Sequence, residues 1–377
     1  MPTQRCRRLW TPDGVVSDVT VERSDDGVIV ALRPARAGDG PAAPGLVLPR
    51  LVNAHVHLEL SVLDGKKLPP SDFVTWASRL PYHLRSASAF RGRDEYGGMH
   101  ATALAITGTE AVVDVTNRGD TRKLLDAVGL HGIVQHEVLG IDPAQQQQAR
   151  AALAALPPGV RGAPHALFST DPSLVVDAVR AGPPGVPSTI HVGESEDEAE
   201  FLRTGTGPHA DLLDRLGRDW GAWKPPGCTA IELLDALGVL GPDLLLVHGV
   251  HTTPAELALA AARGASFVLC ARSNLNVGGR MPDVRAWRAA GLRFALGTDS
   301  LASNDDVDVF SEIPVLADAF PELSIDVWLT AATRDAADAI GRPDLGRVAV
   351  GGRARLVEIA GFGVDVLRVG SPARRLL

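Results

Sequence analysis

Beyond residue 45 the chain alternates short apolar runs with amphipathic stretches, the period-2 and period-3.6 patterns of strands and helices taking turns. The apolar runs are "GLVLPRLVNAHVH", "TEAVVDVT" (109–116), "LHGIVQHEVLG" (130–140), "VRGAPHALFST" (160–170), "PSTIHVGES" (187–195), "LLLVHGVH" (244–251), "SFVLCARSN" (266–274) and "LRFALGTDS" (292–300). They predict eight buried strands. Between them lie helical patterns such as "TRKLLDAVG", "DPSLVVDAVRAG", "TPAELALAAARG" and "MPDVRAWRAAG", several opening on Thr, Asp or Pro and closing on Gly, as helix caps do. Eight strand–helix units predict an α/β fold, a (β/α)8 TIM-type barrel over residues 49–344; a doubly wound open sheet is the rival, because periodicity does not say whether a sheet closes.

The flanks carry a different pattern. Residues 1–48 hold the strand-like alternation "GVVSDVTVERSDDGVIVALRP" and then a Gly/Pro/Ala-rich stretch, "ARAGDGPAAPG". The tail offers "GRVAVGGRARLVEIAGFGVDVLRVGS", again short β-like runs broken by glycine. Both ends, 1–48 and 345–377, are expected to pair into one small β-rich domain. The run "QQQQ" at 145–148 reads as a solvated helix face.

Composition narrows the partners. The 377 residues are 45% hydrophobic and 22% charged, a globular balance. No apolar run nears the ~20 residues that span a bilayer, and the N-terminus lacks the apolar core of a signal peptide, so the cytoplasm is expected and a membrane is not. A net charge of −8 disfavours sequence-independent nucleic-acid binding. Three cysteines, Cys6, Cys228 and Cys270, are too scattered for a disulfide framework or a thiolate metal site. A small-molecule substrate is expected, and a homodimer is left open.

The candidate chemistry lies at strand ends. His55 and His57 close the first predicted strand, His165 lies in the fourth, His191 in the fifth, and His248 and His251 end the sixth. In a barrel those ends share one mouth, where active sites form. Strand alternation points both imidazoles of His-x-His to one side, as two ligands of one ion require. Alone the spacing is common; "LGTDS" brings Asp299 to the same mouth and "IHVGES" brings His191, although an aspartate after an apolar run also reads as a helix N-cap. Three imidazoles and one carboxylate suit one divalent metal ion, Zn2+ first and Fe2+ second, with a position left for water. Such an ion draws the water pKa toward ~7 and supplies hydroxide at neutral pH. Glu194 is then best used as a proton carrier beside that water, and His248 as a group that orients it or stabilises charge at the attacked centre.

Taken together, "LVNAHVHLELS", "APHALFSTDPSLV", "IHVGES", "LLVHGVH", "CARSNLNVGG" and "GTDSLASN", in that order, resemble the amidohydrolase superfamily, in its cytosine- and nucleoside-deaminase-like branch. The resemblance implies metal ligation by His55, His57, His191 and Asp299, with Glu194 as proton shuttle to a ring nitrogen, His248 beside the attacking hydroxide, and Asp299 also accepting a proton. Many superfamily members bridge two metals with a fourth-strand lysine; none of Lys66, Lys67, Lys123 and Lys224 lies there, so one metal is expected. One departure is Arg355 in "GGRARL", where relatives carry an acid. The resemblance further implies hydrolytic deamination of an amino-heterocycle with release of ammonia, 6-aminopurine nucleosides such as aminodeoxyfutalosine leading. Triazine or N-substituted heterocycle hydrolysis and a non-catalytic metal-binding barrel are the competing readings. For substrate contacts the candidates are Glu59, Trp76, His165 and Arg272, the last as a carboxylate clamp at the end of the seventh strand, with Arg79 and Arg85 behind it.

Overall fold

The structure is a computed structural model, and it describes residues 2–88, 92–118, 121–359 and 373–375. In chain order its strands are β1 (Thr3–Thr11), β2 (Gly14–Arg23), β3 (Ile29–Pro34), β4 (Ala42–Pro49), β5 (Leu51–Val56), β6 (Thr109–Thr116), β7 (His131–Val138), β8 (Arg161–Pro164), β9 (Ser188–Val192), β10 (Leu244–His248), β11 (Ser266–Leu269), β12 (Phe294–Leu296), β13 (Leu356–Ile359) and β14 (Ala373–Arg375).

Strands β5 to β12 are the eight predicted ones, and they form two four-stranded sheets, β5-β6-β7-β8 and β12-β11-β10-β9. Every pairing within both is parallel. Every residue of β5, β6, β8, β9, β10, β11 and β12 is buried, which is why these runs read as apolar throughout: helices cover one face and the interior fills the other. The edges of the two sheets also meet, through parallel bridges Val56↔Asp299 and Ala166↔His191.

The connecting helices start where short polar caps put them. Asp142 precedes Pro143–Ala154 and accepts from Gln145 N (2.8 Å), while Thr253 and Glu256 form a reciprocal capping box ahead of Pro254–Ala262. In both, proline at the first helical position costs no hydrogen bond.

The remaining strands form a six-stranded sheet, β14-β13-β4-β1-β2-β3, drawn from both chain ends. The tail run "GFGVDVLRVG" lies outside the described residues. Here the structure divides one apolar run in two. "GLVLPRLVNAHVH" is not a single strand: β4 ends at Pro49 in the terminal sheet and β5 starts at Leu51 in a parallel one, with Arg50 between them. β4 also begins inside the Gly/Pro/Ala-rich stretch, because its alternate residues face the β13 and β1 ladders.

Three expectations shift by a few residues. β8 stops at Pro164, which cannot donate to a ladder, so His165 follows the strand instead of lying in it. β10 ends at His248, and His251 lies three residues beyond, in a turn. β11 ends at Leu269, so Arg272 belongs to the helix Ala271–Asn276. No helix among the described residues is long and apolar enough to cross a membrane.

Candidate metal centre and its cavity

Four side chains from three strands converge where β5, β9 and β12 end. His55 Nε2 lies 3.2 Å from His191 Nε2 and 3.9 Å from Asp299 Oδ1, and His57 Nε2 lies 3.5 Å from Asp299 Oδ1. Ligands ~2.0–2.1 Å from a tetrahedral zinc stand about 3.3 Å apart, so these separations fit one ion. All four side chains are buried.

Local structure explains the convergence. Thr298 N and Asp299 N both donate to the His55 carbonyl at 3.0 Å, fastening the end of β12 to β5. Gly297 allows that approach: a Cβ there would meet His55 Cβ and Val268 Cγ1 at 2.9 Å. After His57 the chain turns into a 3-10 segment, Leu58–Leu63, whose Leu58 N donates to the buried Asp114 Oδ1 (2.9 Å). Asp299 (φ 58°) and His248 (φ 75°) both sit in the left-handed region that non-glycine residues avoid. Such conformations cost roughly 1–3 kcal/mol and concentrate at functional sites.

Outer partners fix the donors. His191 Nδ1 donates to the His165 carbonyl (2.8 Å), leaving the Nε2 lone pair for an ion. Asp299 Oδ2 accepts from Ser273 Oγ (2.6 Å) and Ser303 Oγ (3.0 Å), leaving Oδ1 toward the imidazoles. His248 Nδ1 accepts from Asn274 Nδ2 (2.9 Å), which puts the ring proton on Nε2, 3.7 Å from Glu194 Oε1.

Electrostatics prepare the same roles. Burial, and then the surrounding imidazoles, push His55 well below its usual range and His191 and His248 down to about 3, so all three are neutral. His57 differs: burial pulls it down, but Glu137, Asp299, Glu59 and Asp114 outweigh burial and raise it. Burial, reinforced by Asp299 and Glu198, drives Glu194 well above the carboxylate range and so favours its protonated form.

A second set, Glu137, His165 and His191, also brings its ligand atoms within 4.8 Å of one another. His191 has one free ring nitrogen, so the two sets are alternatives and do not hold two ions together.

These residues form one end of a cavity of about 330 Å³. Glu59, Trp76 and His165 line it, as do His57, His191, Glu194, His248 and Asp299. Glu59 is already engaged, accepting from Thr116 Oγ1 (2.9 Å) and Asn117 N (3.1 Å). His165 Nδ1 meets Ser169 Oγ at 2.6 Å. Trp76 Nε1 is buried without a partner. Arg272 is placed elsewhere: Nη1 donates to Asp306 (2.8 Å) and Nη2 pairs with Asp305 (3.5 Å), so its charge is spent holding the loop after Asp299. Neither Arg79 nor Arg85 is part of the lining.

Among the lining residues that sequence reasoning missed are Glu137, Gln145 and Arg218. Glu137, near the end of β7, carried the same signal as the histidines, a polar residue at a strand terminus; its Oε1 is buried without a partner. Gln145 belongs to the glutamine run expected to be solvated, yet it is half-buried and faces the cavity. Arg218, in the irregular segment between β9 and β10, carried no signal.

Comparison with known proteins agrees with this geometry. Residues 46–368 match the model of the amidohydrolase family. An aminodeoxyfutalosine deaminase from Deinococcus radiodurans is 30% identical over 369 residues, 89% of this chain and 86% of its own. A 5-methylthioadenosine/S-adenosylhomocysteine deaminase from Halobacterium salinarum is 30% identical over 378 residues, 92% and 81% of the two chains. Among solved structures, a zinc-bound adenosine deaminase from Xanthomonas campestris superposes with a TM-score of 0.72 at 26% identity, covering 95% of this chain and 84% of that one. Zinc-bound atrazine chlorohydrolase from Arthrobacter aurescens gives 0.75 at 19% identity, covering 98% and 89%.

Proposed function

The chain belongs to the amidohydrolase family, and from that premise we propose that it deaminates an adenosine-like small molecule, exchanging an exocyclic ring amine for oxygen. It is a hydrolase of C–N bonds. Its cofactor is a divalent metal; we propose zinc, held by His55, His57, His191 and Asp299. That ion, when bound, acidifies water and so supplies the nucleophile.

The protein's own groups do the rest. Glu194, whose burial favours its acid form, delivers a proton to the ring nitrogen beside the attacked carbon, so that carbon accepts the oxygen without stranding charge on the ring. Asp299 accepts a proton from the water, its other oxygen being held by Ser273 and Ser303. His248 Nε2–H faces the reacting centre and stabilises developing negative charge there. A ring C–O bond forms, the exocyclic amine takes up the proton that Asp299 had accepted, the C–N bond breaks and the nitrogen leaves as ammonia, while the proton of the new hydroxyl returns to Glu194.

The observation that carries this reading is the buried pairing of Glu194 with His248 (3.7 Å) beside the four-ligand set, since metal binding alone requires neither. A triazine is the competing substrate, and fold likeness at 19% identity does not choose between them. Ammonia release from metal-replete protein, assayed across 6-aminopurine nucleosides and amino- or chlorotriazines, decides: turnover of the nucleosides is expected, and activity on triazines alone overturns the proposal.

The same reading closes the two four-stranded sheets into one (β/α)8 barrel, which the Val56–Asp299 and Ala166–His191 bridges support. It treats residues 1–48 and 345–377 as a small second domain.

A further inference from the structure

In the acidic run "ESEDEAE" (194–200), Glu196 and Glu200 are exposed and Asp197 is half-buried, as a solvated helix face requires, but Glu198 is only 2% exposed. It lies in the helix Asp197–Thr204, four residues beyond Glu194. Its Oε1 has no hydrogen-bond partner among the described residues, and the one charged side chain that acts on it, Glu256, is itself an acid. Burying a carboxyl without a counter-charge costs stability, so a compensating interaction is expected.

That interaction comes from the backbone that carries Glu194. Burial pushes Glu198 up to about 8, and the N–H groups of Gly193 and then Glu194, hydrogen-bonded to its carboxyl, pull it down. The carbonyls of the same segment are taken by the loop after β10: Gly249 N donates to Val192 O (2.9 Å) and His251 N to Gly193 O (2.8 Å). Gly193 is left-handed (φ 56°), and a Cβ there would come within 3.3 Å of His251 O. The turn is thus held on both sides. Glu198 is absent from the lining of the substrate cavity; with Gly193, Ser195, His251 and Glu256 it borders a separate void of about 10 Å³. Nothing larger than about one water molecule fits a void of that size, so Glu198 binds no substrate.

We propose that Glu198 is a positioning residue for Glu194: from the side facing away from the substrate cavity, its carboxyl holds the Gly193 and Glu194 peptides and so aims the proton carrier. This rests on the deaminase reading for the task of Glu194 and adds to it what fixes that side chain. Glu194 needs such help. Its Oε1 lies 3.7 Å from His248 Nε2, beyond hydrogen-bond length, so its direction is inherited from its own backbone. Proton transfer demands heavy atoms within ~2.6–3.2 Å, and a 1 Å misplacement can cost ~10²-fold in rate. Glu198 stands to Glu194 as Ser273 and Ser303 stand to Asp299, except that it acts through peptide groups.

Amide hydrogen exchange at Gly193 and Glu194, read on metal-replete native protein and two variants, tests the hold itself. Glu198→Ala should speed exchange at those two amides by about 10-fold or more while the amides within β9 keep their native protection. Glu198→Gln, whose side-chain oxygen still accepts an N–H, should keep part of the protection. Turnover of 6-aminopurine nucleosides tests the consequence: Glu198→Ala should lower kcat by about 10- to 100-fold with KM and metal content near native, and Glu198→Gln should recover part of the loss. In a Glu194→Gln background the same changes should cost less than about 3-fold, because the carrier they act through is gone. Native exchange in Glu198→Ala, an equal loss of kcat in both backgrounds, or a loss carried by KM or metal content each overturn the proposal. Should the alanine variant not fold, Glu198→Gln decides alone, by faster exchange at the two amides and a kcat loss that vanishes in the Glu194→Gln background. If native protein turns over no nucleoside but exchange at the two amides depends on Glu198, the deaminase reading falls and the hold on Glu194 stands. If nucleosides are turned over and exchange is indifferent to Glu198, the hold falls and the deaminase reading stands.

Discussion

The floor and the wall of the cavity are built by opposite means. On the floor, each functional group sits at or just beyond a strand end, and is locked by a second bond: His191 by a carbonyl, Asp299 by two serines, His248 by an asparagine. The wall is made of side chains from helices and irregular segments, with Arg218 held by one amide and, among the described residues, no hydrogen-bond partner for Trp76 Nε1. Chemistry that is intolerant of a 1 Å error is therefore placed on rigid elements, and recognition on segments free to vary. A change on the floor should be felt in turnover and metal content, whereas a change elsewhere should be felt in selectivity or stability.

The largest effect is expected at the ligands. Asp299→Ala or His191→Ala should reduce bound metal from about one equivalent per chain to near none and leave turnover at background. Elemental analysis of the purified protein checks this; two equivalents in the native chain would overturn the single-ion site.

Next comes the proton carrier. Glu194→Gln keeps the shape and removes the acid, so metal should be retained while kcat falls by ~10²–10⁴. Undiminished turnover would remove Glu194 from the reaction and leave the floor a metal site only.

The difference between floor and wall also explains what could be read in advance. His55, His57, His191, His248, Glu194 and Asp299 were legible because alternation and strand position are local properties of a sequence. Glu137 obeys the same rule and was overlooked because it brought no neighbouring histidine motif with it. Arg218 and Gln145 meet only through the fold, 73 positions apart along the chain, in segments with no periodicity to read. Arg272 was misassigned for the converse reason: a cation near a predicted strand end looks available until tertiary structure supplies Asp305 and Asp306. The split of one apolar run at Arg50 was equally hidden, since buried strands of two different sheets carry the same composition.

A smaller effect tests the locking bonds. Ser273 is not part of the cavity lining; its hydroxyl donates to Asp299 Oδ2. Ser273→Ala should weaken metal affinity by about 10- to 100-fold, as loss of an outer-shell partner does. Competition with a chelator measures it. An unchanged affinity would mean that Ser303 alone suffices to orient the carboxylate.

The smallest effect on activity is expected furthest from the cavity, where the terminal sheet meets the parallel strands. Arg355, just before β13, pairs with Glu110 of β6, and its Nη1 lies 2.6 Å from His131 Nε2 at the start of β7. Burial raises the pKa of Glu110, with Arg355 the chief influence holding it down. A carboxyl raised in the folded state stabilises the fold at acidic pH, and that contribution is lost as pH climbs through the folded value. Removing Arg355 raises Glu110 further, so Arg355→Ala should cost about 1–3 kcal/mol near pH 8, the penalty of a buried charge left without its partner. Near pH 5 the loss should shrink, for two reasons of the same sign: Glu110 is then protonated more readily, and His131, whose pKa is lowered first by burial and then by Arg355, is freer to protonate and face Glu110 Oε1 at 3.8 Å. Thermal melts of native and variant protein at both pH values measure this. Since Arg355 lies outside the cavity, kcat per folded molecule should not move; a variant equally destabilised at pH 5, or one with altered kcat, would show that the interface between the sheets reaches the floor after all.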